Sequence, residues 1–243
     1  MLGLSTLVEI VSAQEAKKGL SCFGLGKVTS QALFGNTGTF AGKGPAFSTV
    51  ASCLHQETGL FVDFFGLLPL RGKGGREIDL RVGDEFEALG LTFAVSGAGY
   101  AYVIEGAGNF HTFDARLKVS RGFSLVEDVS YLNLWGEVDY QRLLTPGKNW
   151  LSIATGATLS TKLGLPGDPT LVLGVGVWKW LDTTAPGDGP VWGLNGELLF
   201  PVSKKGKIRV GPFLQAGYNG VDDIHQFRVS GGAVVRTQVK FLE

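Results

Sequence analysis

Long apolar runs are the first thing missing from this chain. A membrane-spanning helix needs about 20 consecutive apolar residues, and no stretch supplies them. The nearest, Ala88 to Ile104, carries Gly97 and Gly99 and alternates with period two, so it reads as a strand. Charge is also scarce: 22 basic and 22 acidic residues cancel and together make 18% of the chain, against a usual ~25%. With no basic surplus, binding nucleic acid through bulk phosphate neutralisation is excluded. A hydrophobic content of 44% excludes disorder. The only cysteines, Cys22 and Cys53, exclude a disulfide-dense mini-protein.

Recognisable catalytic and cofactor motifs are missing too. His55, His111 and His225 are far apart and none has a ligand-like neighbour at i+2 or i+4, so no metal site is expected. The glycine clusters at 24–26, 72–75 and 97–99 lack a following helix signal, so neither a phosphate cradle nor a nucleotide cofactor is expected. Serine lies near histidine at Ser52 and His55 and at Ser230 and His225. No supporting acid or oxyanion donor accompanies either pair, and the expectation is that the chain is not an enzyme.

What is abundant is glycine, 37 residues of 243, and period-two alternation. Ile78, Leu80 and Val82 oppose Glu77, Asp79 and Arg81. Phe113, Ala115, Leu117 and Val119 oppose Asp114, Arg116 and Lys118, with His111 on the apolar row. The same holds for Leu132, Leu134, Val138 and Tyr140 against Asn133, Glu137 and Asp139, and for Leu151, Ile153, Ala157 and Leu159 against Ser152, Thr158 and Ser160. Leu171, Leu173, Val175 and Val177 alternate with Val172, Gly174 and Gly176. Further rows run through 192–200, 208–218 and 227–241. Turn chemistry at 145–148, 165–169, 185–190, 203–207 and 218–220 separates these segments. Weaker strands at about 19–33, 46–56, 59–68 and 90–104 bring the total to about twelve, in one sheet with no domain boundary.

Alternation alone does not distinguish a soluble barrel, apolar inside, from a membrane barrel, apolar outside. Strand length favours the membrane: spans of about 9–13 residues match the ~9–11 that cross a bilayer, whereas globular strands average ~5–6. The scarcity of exposed Lys and Glu points the same way. So do Trp135, Trp150, Trp178, Trp180, Trp192, Tyr100, Tyr102, Tyr140 and Tyr218, which fall mostly near strand ends, as outward interface girdles require.

The closing stretch FRVSGGAVVRTQVKF, residues 227–241, resembles the last strand of Gram-negative outer-membrane β-barrels, which ends in an aromatic residue. The stretch 45–87 (GPAFSTVASCLHQETGLFVDFF, then EIDLRVGDEF) resembles small, glycine-rich, porin-like barrels of that type. The resemblance implies an all-β fold: a single closed, up-and-down antiparallel transmembrane barrel of about twelve strands over residues 18–241. It further implies an outer-membrane location, a lipid bilayer around the barrel, and recognition of Phe241 by the barrel-assembly machinery. Thr237 interrupts the apolar row, and Leu242-Glu243 follows the aromatic and resembles vector-derived residues. Residues 1–17 read either as a secretion-signal remnant, from Val11-Ser12-Ala13, or as a short amphipathic helix carrying Leu2, Leu4, Leu7, Ile10 and Val11.

On this orientation the polar row lines a pore. Glu77, Asp79, Glu85, Asp114, Glu137, Asp139 and Glu197 stand against Arg81, Arg116, Lys118, Arg209, Arg228, Arg236 and Lys240. Balanced signs predict paired ladders across neighbouring strands rather than a one-sign filter. The expected function is a passive pore for small hydrophilic solutes. A structural barrel whose lumen the salt bridges fill, and a soluble barrel holding an apolar ligand, are the alternatives. Cys22 and Cys53 fall on consecutive strands, either as a cross-strand disulfide or as two free thiols.

Overall fold

Period-two segments bury one row and leave the other exposed, and twelve of them close on themselves. The computed structural model describes residues 19–30, 32–34, 39–42, 44–71, 76–104, 108–144, 147–181, 190–203, 206–219 and 226–241. The barrel strands are β1 (Leu20–Thr29), β4 (Ala46–His55), β5 (Leu60–Pro69), β6 (Arg76–Ala88), β7 (Leu91–Ile104) and β8 (Gly108–Val126). They continue as β9 (Ser130–Leu143), β10 (Asn149–Lys162), β11 (Thr170–Trp180), β12 (Val191–Pro201), β13 (Ile208–Asn219) and β14 (Gln226–Phe241). Every neighbour in the barrel is antiparallel, each barrel strand pairs with the next barrel strand along the chain, and β14 pairs with β1 to close the ring. Each strand therefore has two partners, which leaves no open edge and pairs the backbone internally.

The sequence reading missed a small hairpin, β2 (Ala32–Phe34) with β3 (Thr39–Gly42), in the connection from β1 to β4. It ends the first strand at Thr29 rather than near residue 33, and β3 comes against β12 and β13. The anticipated signal remnant or helix at 1–17 and the Leu242-Glu243 end lie outside the described residues. No helix among the described residues is long and apolar enough to cross a membrane, which says nothing about crossing by strands.

The two ends of the barrel differ. Leu20 pairs with Phe241, so the first and last strands begin and finish at one end. That end carries the tightest connection, Leu89-Gly90 between β6 and β7. Both residues have positive φ (56° and 71°), the left-handed backbone of a two-residue hairpin turn that follows strand twist. The opposite end holds the longer connections, over 30–45 and 181–190.

Exposure settles which row faces out. On β11, Leu173, Val175 and Val177 are 43%, 41% and 42% exposed, while Val172 and Trp178, on the opposite row, are 2% and 5%. Ile78, Leu80, Val82, Phe113, Leu117, Leu134, Val138, Ile153, Leu194, Leu214 and Val235 form the rest of an apolar outer surface. His111 is exposed on that same outer row. A water-soluble barrel buries this row, and here it is presented outward. The soluble alternative holding an apolar ligand therefore loses its premise.

The aromatic girdle is corrected in large part. Trp192 and Tyr218 do face outward and stack at 6.0 Å between centroids, with Phe227 6.1 Å from Trp192, and Tyr140 is also exposed. Trp135, Trp178, Trp180, Tyr100 and Tyr102 are instead buried on the inner wall, and Trp150 packs with them. Nearness to a strand end sets a side chain's height along the barrel, but its parity along the strand sets the face. Trp178 and Trp180 share parity with Val172, Gly174 and Gly176, so they point inward.

Candidate functional site in the barrel interior

The inner wall is built from the rows opposite the apolar belt. Alternation places Glu77, Asp79, Arg81, Asp114, Arg116, Glu137, Asp139, Glu197 and Arg236 on it, all buried. Glu85, Lys118, Arg209 and Arg228 share the inner parity and are half-buried. The Lys240 side chain lies outside the described residues. Lys27, Asp63 and Gln141 belong to the same wall but were not singled out from sequence. Asp63 sits in a strand whose two faces are both apolar, Phe61, Phe65 and Leu67 inside and Leu60, Val62 and Phe64 outside, so period two gave no face there.

The charges are segregated, not evenly mixed as the balanced count suggested. Strands β5 to β9 carry Asp63, Glu77, Asp79, Glu85, Asp114, Glu137 and Asp139 against Arg81, Arg116 and Lys118. Across the barrel, β12 to β14 and β1 carry Lys27, Arg209, Arg228 and Arg236 against Glu197. The ladders are real within each side. Arg116 donates to Asp139 at 3.1 Å and to the Tyr100 hydroxyl at 3.2 Å, and lies 3.9 Å from Glu137 and 4.0 Å from Asp114. Gln141 Nε2 donates to Asp114 at 2.9 Å and to Asp139 at 3.2 Å, linking two carboxylates that would otherwise repel. On the far side Glu197 takes Arg236 at 2.7 Å and Lys27 at 2.8 Å. Arg209 bonds Thr170.

Between these groups lie apolar clusters. Leu25, Val50, Phe65, Leu67, Val172, Leu199, Phe213 and Val234 form one buried cluster along β11 to β14, β1, β4 and β5. Trp135, Ala154, Trp178, Trp180 and Val191 form a second, with Trp150 packed against it. The rings meet edge to face, Trp178 with Trp180 at 4.3 Å and Trp150 with Trp180 at 5.4 Å between centroids. A glycine makes room for this cluster. A Cβ on Gly156 would stand 2.5 Å from the Trp135 ring and 2.4 Å from the Val175 carbonyl oxygen. At this level Gln141 and Ser152 are 0% exposed and Asp139 1%, so the lumen is filled there rather than a wide aqueous bore.

Cys22 and Cys53 are joined in a disulfide. They are register partners between β1 and β4 and share parity with outward Leu20, Val28 and Ala51, so the bond lies on the outer face. Ser52 and His55 point to opposite faces, Ser52 inward and His55 bonded at 2.9 Å to Thr58, which separates the one serine–histidine pair within the described residues. His225 lies outside them. Among the described residues no three His, Cys, Asp or Glu converge in a metal-holding group.

A closed ring of twelve meandering strands, greasy outside and ionic inside, is the arrangement of membrane barrels. The chain has the fold of an outer-membrane β-barrel. Solved structures similar to it include the NanC porin, with a TM-score of 0.51 at 8% identity over 92% of this chain and 100% of that one. A bacterial polysaccharide outer membrane secretin gives a TM-score of 0.53 at 9% identity over 93% and 100%. The translocator domain of the autotransporter NalP from Neisseria meningitidis gives 0.55 at 10% over 95% and 90%. At such identities the likeness concerns the fold alone. No family model matches the sequence, and no curated protein does.

Proposed function

We propose that this barrel sits in the bacterial outer membrane as a narrow, pore-like passage for small hydrophilic solutes. The observation that supports it is the opposed polarity of the two faces: an exposed apolar belt for lipid, and an ionic wall within for water and solutes. The tightest turn and both barrel termini, opposite the two longest connections, mark the periplasmic end, since periplasmic turns are the short ones. An outer-face disulfide suits an oxidising compartment. Assembly machinery engages the closing strand through Phe241. Residues 18–241 act as one barrel unit, and no catalytic step is assigned.

Movement is by diffusion past Arg81, Arg116 and their carboxylate partners. Because Asp139, Gln141 and Ser152 are shielded from solvent, side chains must yield for a solute to pass, so openings are brief and small. That same burial favours a second reading, a structural barrel with a blocked lumen. Reconstitution into planar bilayers separates the two. The proposal expects discrete conductance steps smaller than those of a wide porin, and a silent bilayer containing folded protein refutes it.

A further inference from the structure

Outward-facing charge is divided unevenly between the two ends of the barrel. At the end opposite the termini, Arg76 opens β6, His111 lies near the start of β8, and Lys148 precedes β10. Arg142 and Lys179 are the last residues but one of β9 and β11. All five are exposed, and the four on strands share parity with outward Ile78, Phe113, Tyr140 and Val177. Among the described residues none of the five enters an ion pair, and no Asp or Glu stands on the outer row at that end. At the other end the outer row carries both signs, with Asp84 on β6 and Arg121 on β8.

Register gathers three of these groups. Arg142 is the partner of Phe113 and of Asn149. The His111 carbonyl accepts the Leu144 N–H at 3.0 Å and the Lys148 carbonyl accepts the Leu143 N–H at 2.8 Å, so His111, Arg142 and Lys148 share one stretch of rim. Lys179 is the partner of Ile153, four residues down and two strands across from Arg142. At ~3.3 Å per residue and ~4.8 Å per strand the two backbones stand roughly 16 Å apart. Between them runs the row of Tyr140, Leu151 and Leu181, each exposed and continuous with the apolar belt. A free anion has no use for that apolar row, whereas an amphiphile does.

We propose that the outer rim over β8 to β11 is a binding surface for outer-leaflet lipids whose headgroup carries more than one phosphate. One phosphate sits among Arg142, Lys148 and His111, where the guanidinium donates two parallel hydrogen bonds. A second reaches Lys179, and the acyl chains run down the belt past Tyr140 and Leu151. Each cation near a lipid surface adds about fivefold in affinity for an anionic headgroup. This surface rests on the outer-membrane reading for the lipid it meets, and is independent of whether the lumen conducts.

Native mass spectrometry of the detergent-folded full chain counts bound lipid directly. The probes are bis-phosphorylated lipid A and its dephosphorylated form, with inorganic phosphate as competitor. The expected result is retention of lipid A at concentrations at least tenfold below those the dephosphorylated form needs, with no displacement by an equal concentration of phosphate. Arg142→Gln combined with Lys179→Gln should weaken retention about 30-fold. Arg121→Gln combined with Lys207→Gln, at the other end, should leave it unchanged. If the first pair fails to fold, judged by heat-dependent gel mobility, Lys148→Gln alone replaces it and should weaken retention about fivefold. Equal retention of the two lipids, displacement by phosphate, or an equal loss in the Arg121 and Lys207 pair overturns the proposal. So does a lipid-free dimer that the Arg142 and Lys179 pair abolishes, which would make the rim a contact between copies of this chain. Lipid A retention with a silent bilayer overturns the pore reading and leaves this surface standing. Conductance without phosphate preference does the reverse.

Discussion

Placing a charge in the outer belt tests the orientation on which the reading depends. Val175 lies at the centre of β11 (Thr170–Trp180) with its side chain outward and 41% exposed. In water, an exposed valine with no polar partner tolerates replacement within about 0.5 kcal/mol. On the lipid face at mid-bilayer, arginine costs about 2–4 kcal/mol. Val175→Arg should therefore lower the folding equilibrium constant roughly 30- to 1,000-fold, at about 1.4 kcal/mol per decade. Leu165→Arg, in the exposed turn between β10 and β11, should cost almost nothing and serves as the control. Reversible denaturant titration of both variants in lipid vesicles gives the two numbers directly. A Val175→Arg penalty below about 0.5 kcal/mol would mean that the belt does not meet hydrocarbon, and the membrane assignment would fall.

Two further perturbations probe the interior. Glu197→Leu leaves Lys27 and Arg236 without their shared carboxylate, and should destabilise the barrel by about 3–5 kcal/mol in the same titration. Combining it with Lys27→Met and Arg236→Met should recover most of that loss, and failure to recover would refute the ion-triad account. Gly156→Leu drives a side chain into the Trp135 ring and the Val175 backbone, so near-ultraviolet circular dichroism of the tryptophans should change and stability drop by about 1–3 kcal/mol. An unchanged spectrum would show that the ring does not lie across this glycine.

Legibility followed parity. Where one face of a strand is ionic and the other aliphatic, as in β6, β8 and β9, the rows were readable because period two is imposed by backbone geometry. In β5 both faces are apolar, so Asp63 and the inner side chains beside it left no alternation to read, whereas in β11 the row of Leu173, Val175 and Val177 was legible against glycine. The tryptophans are a different case. Trp135 shares parity with Glu137 and Asp139, and Trp178 opposes Val175 and Val177, so their inward direction was present in the spacing and was outweighed by their position near strand ends. Charge segregation depends on which strands become neighbours across the closed ring, and total counts of each sign carry no record of that. The short hairpin of β2 and β3 is too brief for a periodic signal.

The bond between Cys22 and Cys53 has a bearing on alignment. Most other neighbouring barrel strands are joined by brief turns that dictate which residues face one another, but β1 and β4 are separated by residues 30–45 with a hairpin of their own. A slip of one residue at that junction would invert both rows of β1, turning Lys27 toward lipid and Val28 toward the interior. The covalent link forbids that error at a pair where a short turn does not, and it acts as a molecular index mark for the first hairpin of the ring.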